Sequence, residues 1–174
     1  MVERDAVRGD GGQGSERAPI RRTVEVPIPP ERAFVLFTEE MDSWWPREYT
    51  WAGDVLDTIG IEPRAGGHCY ELGPHGFALD WGRVLVWQPP RELIFTWQIS
   101  PKRVPEPNPA RASEIEVRFE PAGEGATRVH LEHRAFDRHG PGAAEYRAGM
   151  SAAKGWDYIL ERYAAAASSV APGA

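Results

Sequence analysis

The sequence has little of what several protein classes require. A single cysteine, Cys69, among 174 residues excludes an intramolecular disulfide, which fits a reducing compartment. No apolar run approaches the roughly 20 residues that a membrane span needs, and the first residues contain no apolar segment of the kind found in secretory signals. We therefore expect a cytoplasmic protein without stable membrane association.

Basic residues are few and dispersed. The 20 Lys and Arg residues face 26 Asp and Glu residues, which gives a net charge of −6, and no stretch groups basic residues without acids between them. Nucleic-acid binding needs such a group to neutralise phosphates, so no nucleic-acid partner is expected. Only Lys102 and Lys154 accompany the many arginines. We interpret this bias, together with abundant Ala, Gly and Pro, as that of a GC-rich bacterial genome.

The length and the 41% hydrophobic content indicate one domain, whose core needs no metal or disulfide for stability. Residues 1–19 are rich in Gly and charge and nearly lack large apolar side chains, which predicts a disordered tail. We place the folded domain at residues 20–167 and a short C-terminal tail at 168–174.

Period-two alternation predicts strands, and Pro and Gly turns separate them. A first strand at 20–28 is followed by a helix that begins at Pro29-Pro30-Glu31 and by a short helical turn that ends at Pro46. Further strands are predicted at 55–62, 68–72, 77–88, 92–100, 113–120 and 127–136. The loop at 101–112 carries four prolines, and its length is typical of a lid or of a disordered segment.

Residues 142–167 show a helical apolar period that predicts one long amphipathic helix. The apolar positions are Tyr146, Met150, Ala153, Trp156, Leu160, Tyr163 and Ala167. The whole pattern predicts an α+β protein in which a curved antiparallel sheet of about seven strands wraps around the C-terminal helix, with two short helices after the first strand. Such packing leaves a cavity between sheet and helix unless large side chains fill it.

Several motifs, in this order, resemble the SRPBCC (START/Bet v 1-like) superfamily, and within it the activator of Hsp90 ATPase homologue (AHSA1-like) group. They are Trp44-Trp45-Pro46, Pro63-Arg64-Ala65-Gly66-Gly67, Trp81-Gly82-Arg83-Val84-Leu85, the stretch from Pro89 to Trp97, the stretch from Thr127 to His133, and Gly155-Trp156. The resemblance covers about residues 20–167. It implies a helix-grip fold with a hydrophobic cavity, a fold whose members include lipid carriers and polyketide cyclases.

Strand alternation predicts which side chains face this cavity. Apolar residues share one face in the 92–100, 113–120 and 127–136 strands, and we expect these faces to point inward. In the 77–88 strand we place the face of Trp81, Arg83, Leu85 and Trp87 inward. The predicted ligand-binding residues are Trp44, Trp51, Tyr70, Trp81, Arg83, Phe95, Trp97, His133, Met150 and Trp156.

Two of these residues have alternative interpretations. An inward Arg83 either pairs with an acidic neighbour such as Glu71 or anchors an anionic or carbonyl-bearing ligand. His133 is the best acid–base candidate, although an inward histidine more often has a structural hydrogen bond.

Trp44 and Trp45 are adjacent and cannot both face one core, which leaves one of them for a ligand or a partner.

No catalytic triad, metal-ligand spacing, phosphate loop or dinucleotide motif is present, so no catalytic residue, metal or cofactor is predicted. The leading hypothesis is an intracellular monomer or homodimer that binds a small hydrophobic or amphipathic ligand. A cyclase or aromatase is the alternative, and it requires that His133, Arg83, Tyr70 and Glu71 converge. A protein-interaction module instead requires a filled interior and an exposed apolar patch that includes Trp44 or Trp45.

Overall fold

Alternating apolar residues form one seven-stranded antiparallel sheet in the computed structural model, which describes residues 17–173. The strands are β1 (Ile20–Val26), β2 (Thr58–Ile61), β3 (His68–Leu72), β4 (Ala78–Gln88), β5 (Glu92–Trp97), β6 (Ser113–Pro121) and β7 (Thr127–Arg134). Their order in the sheet is β1-β7-β6-β5-β4-β3-β2. Most of the predicted N-terminal tail, residues 1–16, lies outside the described residues.

Among residues 17–173, three α-helices accompany the sheet: α1 (Pro30–Thr38), α2 (Ala143–Ser151) and α3 (Tyr158–Val170). Helix α1 begins as predicted, with Pro30 at its first turn and Glu31 beside the positive end of the helix dipole. A 3₁₀ turn, Met41–Ser43, is the second short helix after β1. Within the described residues, no helix is long and apolar enough to cross a membrane.

The predicted α+β helix-grip fold is confirmed, and each strand lies within three residues of its predicted bounds. The C-terminal helix, however, is not continuous. Ala152 adopts an extended conformation, a π turn follows at Ala153–Asp157, and the chain becomes α-helical again in α3. Gly155 approaches the Met150 carbonyl so closely that a Cβ atom would lie 2.1 Å from its oxygen. Only glycine fits that position, so this kinked path of the backbone requires Gly155.

Aromatic side chains of α1 and α3 pack against the concave face of the sheet. Phe37 of α1 packs edge-on against Phe119 of β6 and Tyr163 of α3, with ring centroids 5.9 and 5.2 Å apart. The Tyr163 hydroxyl donates to the Ala33 carbonyl at 2.8 Å. Edge-to-face geometry and paired polar tips are what buried aromatic residues prefer, and Phe37 and Tyr163 are both buried in the core.

The convex face of the sheet carries charge instead of apolar area. Arg134 on β7 forms ion pairs with Glu114 and Glu116 on β6 and with Glu132 on its own strand. Arg21 on β1 extends the row to Glu132. A solvated ladder of this kind contributes little per pair.

Candidate functional site

A cavity of about 400 Å³ opens between the concave face of the sheet, the kinked C-terminal helix and the segment at residues 47–55, which we call the entrance segment. Four of the seven tryptophans of the chain line it: Trp45, Trp51, Trp81 and Trp97. The volume falls within the range of about 300–1,000 Å³ that is usual for small-molecule sites. This space lies between sheet and helix, and isoleucine, methionine and several polar side chains complete its walls beside the tryptophans.

The tryptophan walls form one contiguous cluster. The rings of Trp45 and Trp81 are nearly parallel, with an angle of 20° between planes and 6.2 Å between centroids. Trp97 lies edge-on to Trp81 at 5.8 Å. Within the described residues, the buried indole N–H of Trp81 has no hydrogen-bond partner. Flat, apolar faces of this kind suit a planar ligand.

Glu71 is a fully buried polar group in the cavity wall. One of its carboxylate oxygens accepts the backbone N–H of Ala52 at 2.6 Å, and the other accepts that of Trp51 at 3.1 Å. These two bonds hold the entrance segment against β3. The arrangement places a carboxylate among aromatic walls.

The mouth of the cavity is bounded by the entrance segment, the 101–112 loop and the helix kink. The Tyr49 hydroxyl donates to the Lys154 carbonyl at 2.6 Å, and the Trp51 indole donates to the Arg103 carbonyl at 3.1 Å. The Arg103 guanidinium lies 5.5 Å from the ring centroid of Tyr146, within the range of a cation–π contact. The proline-rich loop therefore lies at the mouth, where a lid would lie.

A buried polar chain supports the wall behind Trp97. The Trp97 indole donates to the Tyr146 hydroxyl at 2.6 Å, and the Trp156 indole donates to Nδ1 of His133 at 3.0 Å. The Ser113 hydroxyl bridges Nε2 of His133 at 2.7 Å and Nε2 of His139 at 2.8 Å. Burial raises the pKa of Tyr146 to about 12, so its hydroxyl stays protonated at neutral pH. Burial, assisted by the nearby His139, holds the pKa of His133 well below its usual value.

Four of the ten predicted ligand-binding residues line the cavity: Trp51, Trp81, Trp97 and Met150. Three others lie in the core beside it: Phe95 and Trp156, which pack on the cavity tryptophans, and Trp44, whose indole donates to the Leu36 carbonyl at 2.8 Å. His133 is buried behind Trp97 and Trp156. Both of its ring nitrogens form hydrogen bonds, one with Ser113 and one with Trp156. His133 therefore has the structural role that was the alternative to acid–base chemistry.

Arg83 does not face the cavity, and its predicted inward orientation is wrong. Its side chain is 37% exposed and pairs with Asp80 at 3.2 Å. Trp81 and Leu85 are extra residues in the β3–β4 and β4–β5 ladders, without partners of their own. These two bulges shift the alternation, so that Trp81 and Val84 are buried while Arg83 and Leu85 point outward.

Tyr70 also lies outside the cavity, on the opposite face of β3 from Glu71. It pairs with Asp80 in the β3–β4 register, and its hydroxyl lies over Gly60 of the neighbouring strand. Adjacent residues of a strand point to opposite faces, so the burial of Glu71 puts Tyr70 on the outside.

Trp45 is the main cavity residue absent from the predicted set. Both members of the Trp44-Trp45 pair are buried, with exposed fractions of 1% and 7%. They follow a 3₁₀ turn and do not lie in a strand, so both side chains reach the interior in different directions: Trp44 toward α1 and Trp45 toward Trp81 and Trp97. The pair itself was the available signal, and local backbone geometry decided which member lines the cavity.

These features define a helix-grip protein with an aromatic cavity between sheet and C-terminal helix. The chain belongs to the activator of Hsp90 ATPase homolog 1-like protein family, whose model matches residues 27–168. The family assignment from sequence motifs is thus confirmed. No curated protein matches the chain.

Solved structures with the same fold include two proteins whose names describe a role. One is an anthrahydroquino-γ-pyrone synthase, Txn09, described as complexed with SUM; it is 36% identical, with a TM-score of 0.62, and the match covers 86% of this chain and 97% of that chain. The other is a self-sacrificing resistance protein, CalC from Micromonospora echinospora, which is 26% identical, with a TM-score of 0.59 and coverages of 87% and 95%.

A third structure, protein NE0264 from Nitrosomonas europaea, matches at 17% identity with a TM-score of 0.59. The match covers 84% of this chain and 92% of that chain. At this level of identity the likeness concerns the fold alone. Together the three matches span nearly the whole folded part of the chain.

Proposed function

We propose that the chain is an intracellular protein that binds a small, planar, largely apolar aromatic molecule in the cavity between sheet and helix. The observation that carries the proposal is the cavity itself, about 400 Å³ lined by Trp45, Trp51, Trp81 and Trp97. A folded protein normally fills such space with its own side chains, because close packing stabilises the core. Aromatic walls around open space instead provide contact area for a ligand.

The name of one relative supports the same class of ligand. The name of the 36% identical structure describes a synthase of an anthrahydroquinone-fused pyrone, which is a polycyclic aromatic product. A cavity lined by flat indole rings would accommodate a molecule of that general shape in this chain.

The interaction-module hypothesis has less support. It requires a filled interior and an exposed Trp44 or Trp45, whereas both side chains are buried and the interior contains the cavity. The observations therefore favour a small-molecule site over a protein-docking surface.

A blocking substitution tests the proposal. Gly149 of α2 lines the cavity, and a Cβ atom at this position would have no atom within 4 Å. We expect Gly149→Phe to place its ring in the mouth without a backbone clash and to weaken anthraquinone binding at least about tenfold, which corresponds to about 1.4 kcal/mol. Isothermal titration calorimetry with anthraquinone measures the affinity, and thermal unfolding confirms that the variant folds.

Ala148→Phe is the matched control, because Ala148 is exposed on the same helix and does not line the cavity. It should leave the affinity for anthraquinone unchanged. Equal binding by wild type and Gly149→Phe, or no binding by wild type together with a ligand-free native mass spectrum of gently purified protein, would contradict the proposal.

A synthase that acts on its bound aromatic ligand is the second candidate, favoured by the name of the 36% identical relative. The polar set predicted for a cyclase does not converge, because Arg83, Tyr70 and His133 lie outside the cavity and only Glu71 lines it. A proton-transfer role would therefore centre on Glu71. Mass spectrometry of aromatic polyketide precursors after incubation with the chain would detect turnover. Unchanged precursors would contradict the synthase function and leave ligand binding as the proposed function.

A further inference from the structure

Glu71 is an unusual residue in the wall of an apolar cavity. It lies on β3, its side chain is fully buried, and it lines the space between the tryptophans. Within residues 17–173, it belongs to no salt bridge with a Lys, Arg or His side chain. A buried carboxylate without a cation is costly unless hydrogen-bond donors surround it.

The hydrogen bonds of Glu71 are incomplete. A carboxylate offers about four acceptor positions on its two oxygens. The backbone N–H groups of Trp51 and Ala52 use one on each oxygen. No other group of the described residues donates to it. About two acceptor positions therefore have no partner among the described residues, in a wall formed largely by tryptophan, isoleucine and methionine side chains.

We infer that Glu71 accepts a hydrogen bond from a hydroxyl group of the ligand, so that the site selects hydroxylated aromatic molecules. The inference rests on the proposed function, since it concerns a ligand in the same cavity. Hydrogen bonds from a hydroxyl to a carboxylate are short and about twice as strong as neutral ones. A ligand that lacks the hydroxyl leaves the carboxylate unpaired, and a site with an unpaired buried polar group rejects such a ligand strongly.

The same carboxylate also anchors the entrance segment through Trp51 and Ala52. A purely structural Glu71 would hold the cavity open for every aromatic ligand alike. A hydrogen bond to the ligand, in contrast, acts only on molecules that carry a donor. The two roles therefore differ in selectivity, even where both affect affinity.

The test measures the selectivity of wild type and of Glu71→Gln for two matched probes, 2-hydroxyanthraquinone and 2-methoxyanthraquinone, by calorimetry below the pKa of the phenol. Wild type should prefer the hydroxyl compound at least about tenfold, as expected for a hydrogen bond to a charged group. In Glu71→Gln the preference should fall to about threefold or less, because the amide accepts more weakly and presents an N–H group of its own.

Two controls separate the carboxylate from its surroundings. Glu62→Gln removes a carboxylate that does not line the cavity and accepts the His68 backbone N–H at 2.8 Å, and it should keep the preference. Thr50→Ala removes the hydroxyl that accepts the Gly53 N–H at 2.9 Å, so it loosens the entrance segment and should weaken both probes equally. Thermal unfolding of each variant checks that the fold is intact.

The outcomes are distinguishable. A wild type that binds both probes with equal affinity, or a Glu71→Gln variant that keeps the full preference, overturns the inference and leaves the proposed function standing. Failure of wild type to bind either probe or anthraquinone itself overturns both.

Discussion

His133 lies in a buried chain of hydrogen bonds, and the chemistry of the neighbouring side chains determines which atom donates in each bond. An indole nitrogen can only donate, so Nδ1 of His133 accepts from Trp156 and the ring proton lies on Nε2. That proton faces the Ser113 hydroxyl, which in turn donates to Nε2 of His139. Ser113 is thus both acceptor and donor between two neutral histidines, a role that only a hydroxyl can fill in this space.

Removal of that hydroxyl should be costly. We expect Ser113→Ala to lower the free energy of unfolding by about 1–3 kcal/mol, because the buried Nε2–H of His133 loses its acceptor and Nε2 of His139 keeps only the Ser113 backbone N–H at 3.4 Å. Chemical denaturation measures the difference. Ser169→Ala, an exposed hydroxyl near the end of α3, should change stability by no more than about 0.5 kcal/mol. A Ser113→Ala variant as stable as that control would show that the buried chain contributes nothing.

The sequence indicated single site residues well where a strand alternates regularly. Phe95, Trp97 and His133 are buried as expected, since the β5–β6 and β6–β7 ladders contain no bulge. It failed at Arg83, because the bulges at Trp81 and Leu85 arise from pairing with two neighbouring strands. Gly82, next to the first bulge, is the one local residue in β4 that could have indicated it, since a Cβ atom there would lie 2.3 Å from the Thr96 carbonyl oxygen.

At the scale of the element, the kinked C-terminal helix contains two glycines that differ in the space around them. A Cβ atom on Gly155 would lie 2.1 Å from the Met150 carbonyl oxygen, whereas one on Gly149 would have no atom within 4 Å. The apolar spacing of residues 142–167 continues through the kink. The sequence therefore predicted a single helix, and the interruption depends on contacts that the spacing does not contain.

This contrast gives a prediction with an internal control. Gly155→Ala should destabilise the protein by about 1–3 kcal/mol, because the backbone must shift to admit the methyl group. Gly149→Ala should stabilise it by about 0.5–1 kcal/mol, because alanine loses less backbone entropy in a helix than glycine. Denaturant unfolding of both variants measures the two changes. Equal effects of the same sign would contradict the close approach at Gly155.

At the scale of the whole molecule, stability should depend on pH through the buried histidines. Burial lowers the pKa of both His133 and His139 in the folded chain. The unfolded chain therefore binds protons first as the pH falls below about 6.5, and the free energy of unfolding decreases with it. Above that pH the two histidines are neutral in both states and contribute no pH dependence.

Each histidine kept neutral should cost about 1.4 kcal/mol per pH unit below its unfolded pKa. Denaturant unfolding at several pH values from slightly alkaline to mildly acidic measures this slope. His133→Gln should flatten it, and His75→Gln, which changes an exposed residue, should not. A wild-type stability that is constant over this range, or that rises on acidification, would contradict the lowered pKa values.

The fold as a whole was more predictable than the cavity. Seven strands, their antiparallel order and the closing helix follow from patterns along the chain together with the family motifs. The entrance segment has no such pattern. The hydrogen bonds of its backbone to Glu71, and the direction of Trp45, depend on residues far away in sequence.

The tryptophans around the cavity also give the protein an intrinsic optical reporter. A bound chromophore would lie within a few ångströms of Trp45, Trp81 and Trp97, far inside the distance over which excited indole transfers its energy to an absorbing molecule. Trp44, Trp87 and Trp156 do not line the cavity and would supply a steadier background emission. The intrinsic fluorescence of the unlabelled protein could therefore report occupancy of the site, because a coloured compound that enters the cavity would quench the tryptophan emission.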